Sequence, residues 1–225
     1  MYVSPNSAAR SAACLFAAGI AALAAPAAAQ DGAWEAGDFS AKVSVVGFLL
    51  DSEGEIALAG QPFQGAGAEV GDGVTAAIDL EYFVTDNLSV AVNFGIPIET
   101  DITGTGVLAG AGTLGSVDYG IGATTLRYHF DLGGAVSPYI GAGAGKLFIF
   151  DEKDALVSNL DVKGAWAPVV QAGVNIFVTR NVGIYANASY APLDTEATGL
   201  ALGAPATVDM QLNPTVVQGG VLYRF

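Results

Sequence analysis

The chain has 225 residues, a formal net charge of −14 and a composition that is 52% hydrophobic but only 13% charged. Its acidity argues against a nucleic-acid-binding protein, because phosphates require a basic protein face, and its apolar excess is unusual for a soluble domain. The single cysteine, Cys14, lies near the N-terminus, so neither a disulfide nor a cysteine metal site is expected in the rest of the chain.

Residues 1–29 are predicted to be a secretory signal peptide. Arg10 supplies a positive charge, an Ala-rich apolar run follows at 12–25, and a small-residue cleavage site ends at Ala29. One alternative is an uncleaved anchor, for which the run is short and poor in leucine. Another is a lipoprotein modified at Cys14, although this cysteine precedes the apolar core instead of following it. Residues 30–225 then form one domain.

Beyond residue 29 no stretch of about 18 apolar residues occurs, so no spanning helix is expected. A lipid-facing protein without helices must close its strands into a barrel, because hydrocarbon cannot satisfy open strand edges. The predicted fold class is therefore all-β, an eight-stranded antiparallel transmembrane β-barrel of the outer-membrane type. The strands are predicted at 39–50, 74–84, 88–97, 119–130, 139–150, 165–178, 182–191 and 208–225.

The connections between these strands alternate in length. Short ones at 85–87, 131–138 and 179–181 are predicted periplasmic turns, and long ones at 51–73, 98–118, 151–164 and 192–207 are predicted external loops. Residues alternate in polarity within the strands, as a soluble sandwich would also show. Aromatic residues near the short turns predict a membrane girdle. These residues are Tyr82, Tyr128, Phe130, Tyr139, Tyr223 and Phe225.

The last strand ends with Tyr223 and a terminal Phe225 on one face, together with Val217, Gly219 and Val221. This ending is interpreted as the assembly signal that the barrel-insertion machinery recognises. The alternative is an ordinary terminal strand.

Several segments resemble the OmpW family of small outer-membrane barrels. They are PYIGAG at 138–143 leading into FDEK at 150–153, residues 166–174 ahead of the Asn181 turn, LRYHF at 126–130, and GVLYRF at 220–225. The resemblance implies an eight-stranded barrel with a hydrophobic upper lumen that passes small apolar molecules. It supports architecture more strongly than function.

An eight-stranded barrel has a lumen just wide enough for side chains or one small ligand. Charged inward positions are expected to pair and block this lumen, unless they form a proton or ion path. The predicted plug comprises Lys42, Asp79, Glu81, Arg127, Lys146 and Arg224. Inward positions nearer the outer rim are apolar and predict a funnel formed by Val46, Phe48, Tyr119, Ile121, Phe148, Phe150 and Val169.

Prolines lie toward the outer ends of four predicted strands, at Pro97, Pro168, Pro192 and Pro214. Each lacks the N–H that a strand ladder uses. A lateral opening is hypothesised beside the last three strands, at Pro168, Pro192 and Pro214. The alternative is that these prolines only end their strands.

No cofactor or metal is expected, since the loops lack calcium-loop spacing and the Gly-rich segment 104–115 precedes no helix. The acidic loops are expected to be solvated, with cation bridges to lipopolysaccharide as an alternative. The only histidine, His129, is predicted at the periplasmic end, away from outer-leaflet substrates, so an enzyme is not expected.

The leading functional prediction is uptake of small hydrophobic molecules across the outer membrane. The alternatives are a structural or adhesive barrel like the membrane half of OmpA-type proteins, and a secreted soluble carrier. The expected partners are outer-membrane lipid and lipopolysaccharide, the barrel-assembly machinery and a small hydrophobic solute, with the oligomeric state left open.

Overall fold

The computed structural model describes residues 33–225 except 51 and 202, so the predicted signal peptide lies outside the described residues. The described chain folds into antiparallel β-structure. Its strands are β1 (Phe39–Leu49), β2 (Ser52–Leu58), β3 (Gln61–Val70), β4 (Gly73–Phe83), β5 (Leu88–Gly95), β6 (Ile98–Gly106), β7 (Thr113–His129), β8 (Val136–Asp154), β9 (Val157–Val162), β10 (Trp166–Phe177), β11 (Val182–Tyr190), β12 (Leu193–Ala201), β13 (Ala204–Leu212) and β14 (Thr215–Arg224).

Eight strands form a closed barrel in the order β1, β4, β5, β7, β8, β10, β11 and β14, which confirms the predicted fold class. The barrel closes where β14 pairs with β1, with Arg224 opposite Ser40. Side chains of the barrel strands alternate between the lipid-facing surface and the lumen, as in outer-membrane barrels. In β1, for example, Val43 and Val45 point outward while Lys42 and Ser44 are buried inside. Among the described residues, no helix is long and apolar enough to cross a membrane.

The long connections are not loops, which corrects the prediction. They form β2, β3, β6, β9, β12 and β13, which continue beyond the barrel with the upper parts of β7 and β8. These strands, hereafter the extension, enclose an apolar interior of their own. Ile102, Leu114 and Val117 belong to this interior, but interspersed glycines and threonines leave no regular apolar alternation in their segments of the sequence.

Where the chain passes between the barrel and the extension, most strands are interrupted, and the interruptions lie at one level. The predicted strand 208–225, for example, is two strands, because residues 213–214 separate β13 from β14 and Pro214 cannot donate to a ladder. Only β7 and β8 run through the boundary unbroken in the described chain. The extension is therefore joined to the barrel by one continuous hairpin and by short links.

The outer surface near the short turns carries the predicted aromatic girdle with one exception. Tyr82, Tyr128, Phe130, Tyr223 and Phe225 are exposed on the outside of the barrel. Tyr139 instead points into the lumen and is 1% exposed. The prediction for Tyr139 was therefore wrong, and its side chain belongs to the interior described next.

Candidate functional site

A layer of paired charges crosses the lumen of the barrel. Hereafter the charged layer, it comprises Lys42, Asp79, Glu81 and Arg127, all buried. Lys42 Nζ lies 2.6 Å from Glu81 Oε2. Arg127 donates two bonds to the Asp79 carboxylate, at 2.9 and 2.5 Å, and its Nη1 lies 3.3 Å from Glu81. Two cations face two carboxylates, so the layer is neutral, as charges in a low-dielectric interior must be.

Tyr139 supports the cations of this layer. Its ring centroid lies 5.3 Å from Lys42 Nζ and 5.2 Å from Arg127 Cζ, within cation–π range. Asn187 donates a 3.0 Å bond to the Tyr139 hydroxyl. A Cβ on Gly173 would stand only 2.4 Å from Tyr139 Cζ. Glycine at this position is what lets the ring lie against the barrel wall.

His129 is buried beside the charged layer and does not form a catalytic arrangement. Its Nε2 lies 2.8 Å from Glu81 Oε1 and 3.2 Å from Ser89 Oγ. In a nucleophilic triad the carboxylate and the hydroxyl meet opposite nitrogens of the imidazole. Here Ser89 meets the same nitrogen as Glu81 and donates to that carboxylate at 2.6 Å. Ser137 Oγ lies on the opposite nitrogen, but at 3.4 Å from Nδ1 it is beyond the reach of about 2.6–3.2 Å that a general base needs, and it accepts the Trp34 indole N–H. His129 therefore ties the layer to the short-turn end of the barrel.

The short-turn end is closed by Trp34, which the sequence analysis did not single out. Its ring stacks on Phe83 at 4.1 Å and meets Phe177 edge-on at 5.2 Å. Its indole N–H donates to Ser137 Oγ at 3.0 Å. The signal for this role is weak, because Trp34 precedes β1 and belongs to no alternating segment.

Arg224, predicted as part of the plug, lies at this closed end and not among the layer's carboxylates. Its guanidinium stands 4.6 Å from the Phe177 ring and 5.3 Å from the Trp34 ring. It donates to the carbonyl oxygens of Ala33 and Arg180, at 2.6 Å each. Arg224 therefore fixes the N-terminal segment across the barrel mouth.

Immediately above the charged layer lies a polar level, where Gln171 donates to Thr125 and Asn187 donates to Gln171. Beyond this level the interior is apolar. A cavity of about 60 Å³ begins over Arg127, and one of about 50 Å³ continues into the extension. Of the predicted funnel residues, Val46, Phe48, Ile121 and Val169 line the first cavity and Tyr119 lines the second. The cavities are also lined by five residues that were not predicted from the sequence: Ile102, Leu147, Ile149, Leu193 and Met210.

The predicted inward direction of Lys146, Phe148 and Phe150 was wrong. Phe148 and Phe150 are 40% and 62% exposed on the outer surface. Lys146 also points outward, with its ammonium 5.1 Å from the Phe148 ring and 5.3 Å from the Trp166 ring. A lysine near the end of the barrel can lie along apolar surface and keep its charge near water, so it need not face the lumen.

The barrel wall has an unpaired segment beside one of the predicted prolines. The β10–β11 ladder ends where Val170 pairs with Tyr190. Residues 166–169 of β10, including Pro168, pair only with β8. Pro192 lies in the link that follows β11. Pro214 lines both upper cavities, and Pro97 lies between β5 and β6. The gap therefore lies between β10 and the β11–β12 link.

Comparisons with known proteins agree with this architecture. The sequence model of the OmpW family matches residues 35–225. Outer membrane protein AlkL of Ectopseudomonas oleovorans is 27% identical over 198 residues, 88% of this chain and 86% of AlkL. The dibenzothiophene metabolism operon protein PahQ of Pseudomonas aeruginosa is 30% identical over 203 residues, 90% of this chain and 93% of PahQ.

Two solved structures share the fold. The crystal structure of the outer membrane protein OprG from Pseudomonas aeruginosa superposes with a TM-score of 0.81 at 23% identity, covering 87% of this chain and 99% of OprG. The solid-state NMR structure of AlkL in DMPC lipid bilayers gives 0.69 at 26% identity, covering 88% and 94%.

Proposed function

Because the chain belongs to the OmpW family of outer-membrane proteins, we propose that it admits small hydrophobic molecules from outside the cell into the outer membrane. The observation that carries this proposal is the apolar interior of the extension, which lies above the charged layer and the amide side chains that cover it. An apolar solute gains by leaving water for such an interior. It cannot pass the buried ions below, because they leave no apolar path.

The exit in this proposal is lateral. The unpaired residues 166–169 of β10 flank the upper cavity, where Ala167 and Val169 point inward. A missing ladder leaves only side-chain packing between lumen and lipid at this level. The solute then leaves between β10 and the β11–β12 link into the hydrocarbon core. The name of PahQ associates that relative with dibenzothiophene, an uncharged aromatic heterocycle of the class proposed here.

The admission step is tested by placing a polar group in the funnel. Phe48→Asn puts an amide among apolar cavity walls, and an unsatisfied buried polar group costs about 1–3 kcal/mol. We expect uptake of a labelled apolar solute by intact cells to fall roughly 5- to 100-fold. Phe94→Asn is the matched control, because Phe94 is exposed on the outer face of the barrel. Equal uptake by both variants, at equal surface levels, contradicts the proposal.

The exit step is tested by filling the gap without adding polarity. Ala191 lines the first cavity from the link after β11, so Ala191→Phe is expected to slow uptake while leaving the interior apolar. Ala188→Phe, at an exposed position of the preceding strand β11, is the control. If Ala191→Phe changes nothing while Phe48→Asn does, the solute leaves by another route.

A structural barrel without transport is the second candidate. It is favoured by the size of the cavities, about 60 and 50 Å³, because ligand pockets are commonly about 300–1,000 Å³. Uptake therefore requires the apolar walls to separate as the solute moves. Unchanged uptake in both lumen variants supports the structural candidate instead.

A further inference from the structure

The outermost hairpins of the extension carry no charge over long stretches of an otherwise acidic chain. Residues 56–68, 102–117 and 197–208 contain no Asp, Glu, Lys or Arg. Apart from residue 202, which lies outside the described residues, they form the tips of the β2–β3, β6–β7 and β12–β13 hairpins. Solvent-facing tips are ordinarily polar, so this composition is the reverse of the usual one.

Large apolar side chains project into water from these tips. Phe63 is 41% exposed and Val107 is 65% exposed. Leu156, in the turn of the neighbouring β8–β9 hairpin, is 51% exposed. We refer to the three uncharged tips and Leu156 as the crown. Exposed apolar groups gathered on one face of a protein mark an interaction surface.

Carboxylates lie immediately below the crown, toward the membrane. Glu55, Asp209 and Glu196 are opposite one another on the neighbouring strands β2, β13 and β12. Glu69 and Asp101 occupy the strands β3 and β6 on the other side. This acidic belt separates the crown from the membrane surface, so the crown is not a continuation of the lipid-facing band.

The crown is also continuous with the interior. Leu108 packs against the core of the extension, and a cavity of about 20 Å³ beneath the tips is lined by Leu114, Val157 and Leu160. An apolar molecule held at the crown therefore lies next to apolar walls. At the tips, the apolar surface that is exposed to water meets the apolar surface that is enclosed in the extension.

We propose that the crown adsorbs the extension to the surface of an apolar liquid, such as a droplet or film of liquid hydrocarbon. Such a liquid surface has neither charges nor hydrogen-bonding groups, so a protein surface that adsorbs to it must be uncharged. The tips belong to separate hairpins, and a liquid can conform to them without matching a rigid shape. The acidic belt limits immersion, because carboxylates stay in water.

The negative charge of the chain argues against two other partners for the crown, an anionic surface and a second copy of this chain. An anionic surface would be repelled by the belt, and a second crown meeting this one would bring two acidic belts together. The inference extends the proposed function, since solute collected at the crown is delivered to the apolar interior. Adsorption itself requires no transport and can be measured alone.

The test uses the barrel in phosphatidylcholine nanodiscs mixed with a hexadecane emulsion, with protein-free nanodiscs as the baseline. The fraction that floats with the droplets measures adsorption. The crown variant combines Phe63→Asp, Val107→Asp and Leu156→Asp, all at exposed positions. Loss of apolar burial at each tip is expected to weaken adsorption several-fold, and roughly a hundredfold for all three. Raising the salt concentration should not release the unmodified barrel.

Leu132→Asp is the matched control, because Leu132 lies in a short turn at the opposite end and is 65% exposed, as Val107 is. Equal adsorption of the crown variant and the control overturns the proposal, as does crown-dependent dimerisation on gel filtration. In cells, the crown variant should lose uptake from droplets but keep uptake of dissolved solute. If the proposed function fails but the crown proposal holds, the result is different: Phe48→Asn leaves uptake unchanged while the crown still adsorbs to the droplets.

Discussion

Replacing Glu81 by glutamine tests whether paired charges stabilise the barrel. The side chain keeps its shape but loses the charge that lies 2.6 Å from Lys42 and 3.3 Å from Arg127. The charged layer then holds two cations against Asp79 alone, with a net charge of about +1 in a buried site. Removing one partner of a buried ion pair costs about 3–5 kcal/mol. We expect the free energy of unfolding to fall by that amount.

The measurement is equilibrium unfolding in denaturant with the barrel folded into lipid vesicles. With Trp166 replaced by Phe in every variant, the fluorescence is that of Trp34, which reports the region next to the layer because its ring lies 5.8 Å from that of His129. Glu99→Gln is the matched control. It breaks the exposed ion pair between Glu99 and Lys153 in the extension, and such a pair is worth no more than about 1 kcal/mol.

A second substitution separates charge from packing. Lys42→Met added to Glu81→Gln restores neutrality and leaves the two-bond contact of Arg127 with Asp79 intact. The double variant should therefore be more stable than Glu81→Gln alone by at least about 1 kcal/mol. The reasoning is refuted if Glu81→Gln costs no more than Glu99→Gln, or if Lys42→Met adds a further loss.

Three more outcomes follow from the structure. Trp34→Ala should lower the free energy of unfolding by about 3–5 kcal/mol through loss of the 4.1 Å stack on Phe83; a planar bilayer should still show no ion conductance, because the charged layer remains closed. Gly173→Ala should cost about 1–3 kcal/mol in the same unfolding assay, since the new Cβ would stand 2.4 Å from Tyr139 Cζ; a loss below about 0.5 kcal/mol would show that the ring moves freely. The pKa of Asp154 is lowered because its carboxylate accepts backbone N–H bonds from Asn159 and Leu160 of β9. That carboxylate stabilises the β8–β9 turn above its ordinary pKa of about 4, and the contribution is lost as pH falls through the lower folded value. Asp154→Asn should accordingly speed proteolysis of the β8–β9 turn at neutral pH. Hydrogen exchange should show no difference from the unmodified chain once the pH is low enough to protonate Asp154 in the folded state.

The barrel strands were predictable because lipid and lumen impose opposite chemistry on alternate residues. In β4, apolar Ile78 and Leu80 alternate with charged Asp79 and Glu81. The predicted strand 74–84 lies within one residue of β4. The charged residues of the layer were identified for the same reason. A charge deep in the hydrocarbon band has only the lumen to occupy, whereas Lys146, nearer the end of the barrel, lies on the outer surface.

The direction of residues in β8 could not be predicted in this way. Residues 141–145 are alternating glycine and alanine, which are equally acceptable on both faces. The register also shifts where Asp118 pairs with Asp151 and Tyr119 with Ile149, so that Phe150 is bulged. Trp34 was missed for another reason. Its position depends on packing with Phe83, Phe177 and Arg224, which are distant in sequence.

The pairing of β1 with β14 has a consequence for biogenesis. Lys42 lies opposite Leu222 and Phe48 opposite Val216, so these two paired strands are separated in sequence by most of the polypeptide. Contacts of such long range form slowly, because chain entropy must be lost before they are made. Until β14 is translocated, β1 and β11 have free hydrogen-bonding groups that hydrocarbon cannot accommodate. A nascent chain released before residue 215 would consequently be a substrate for periplasmic chaperones and proteases, and not a leaky membrane protein.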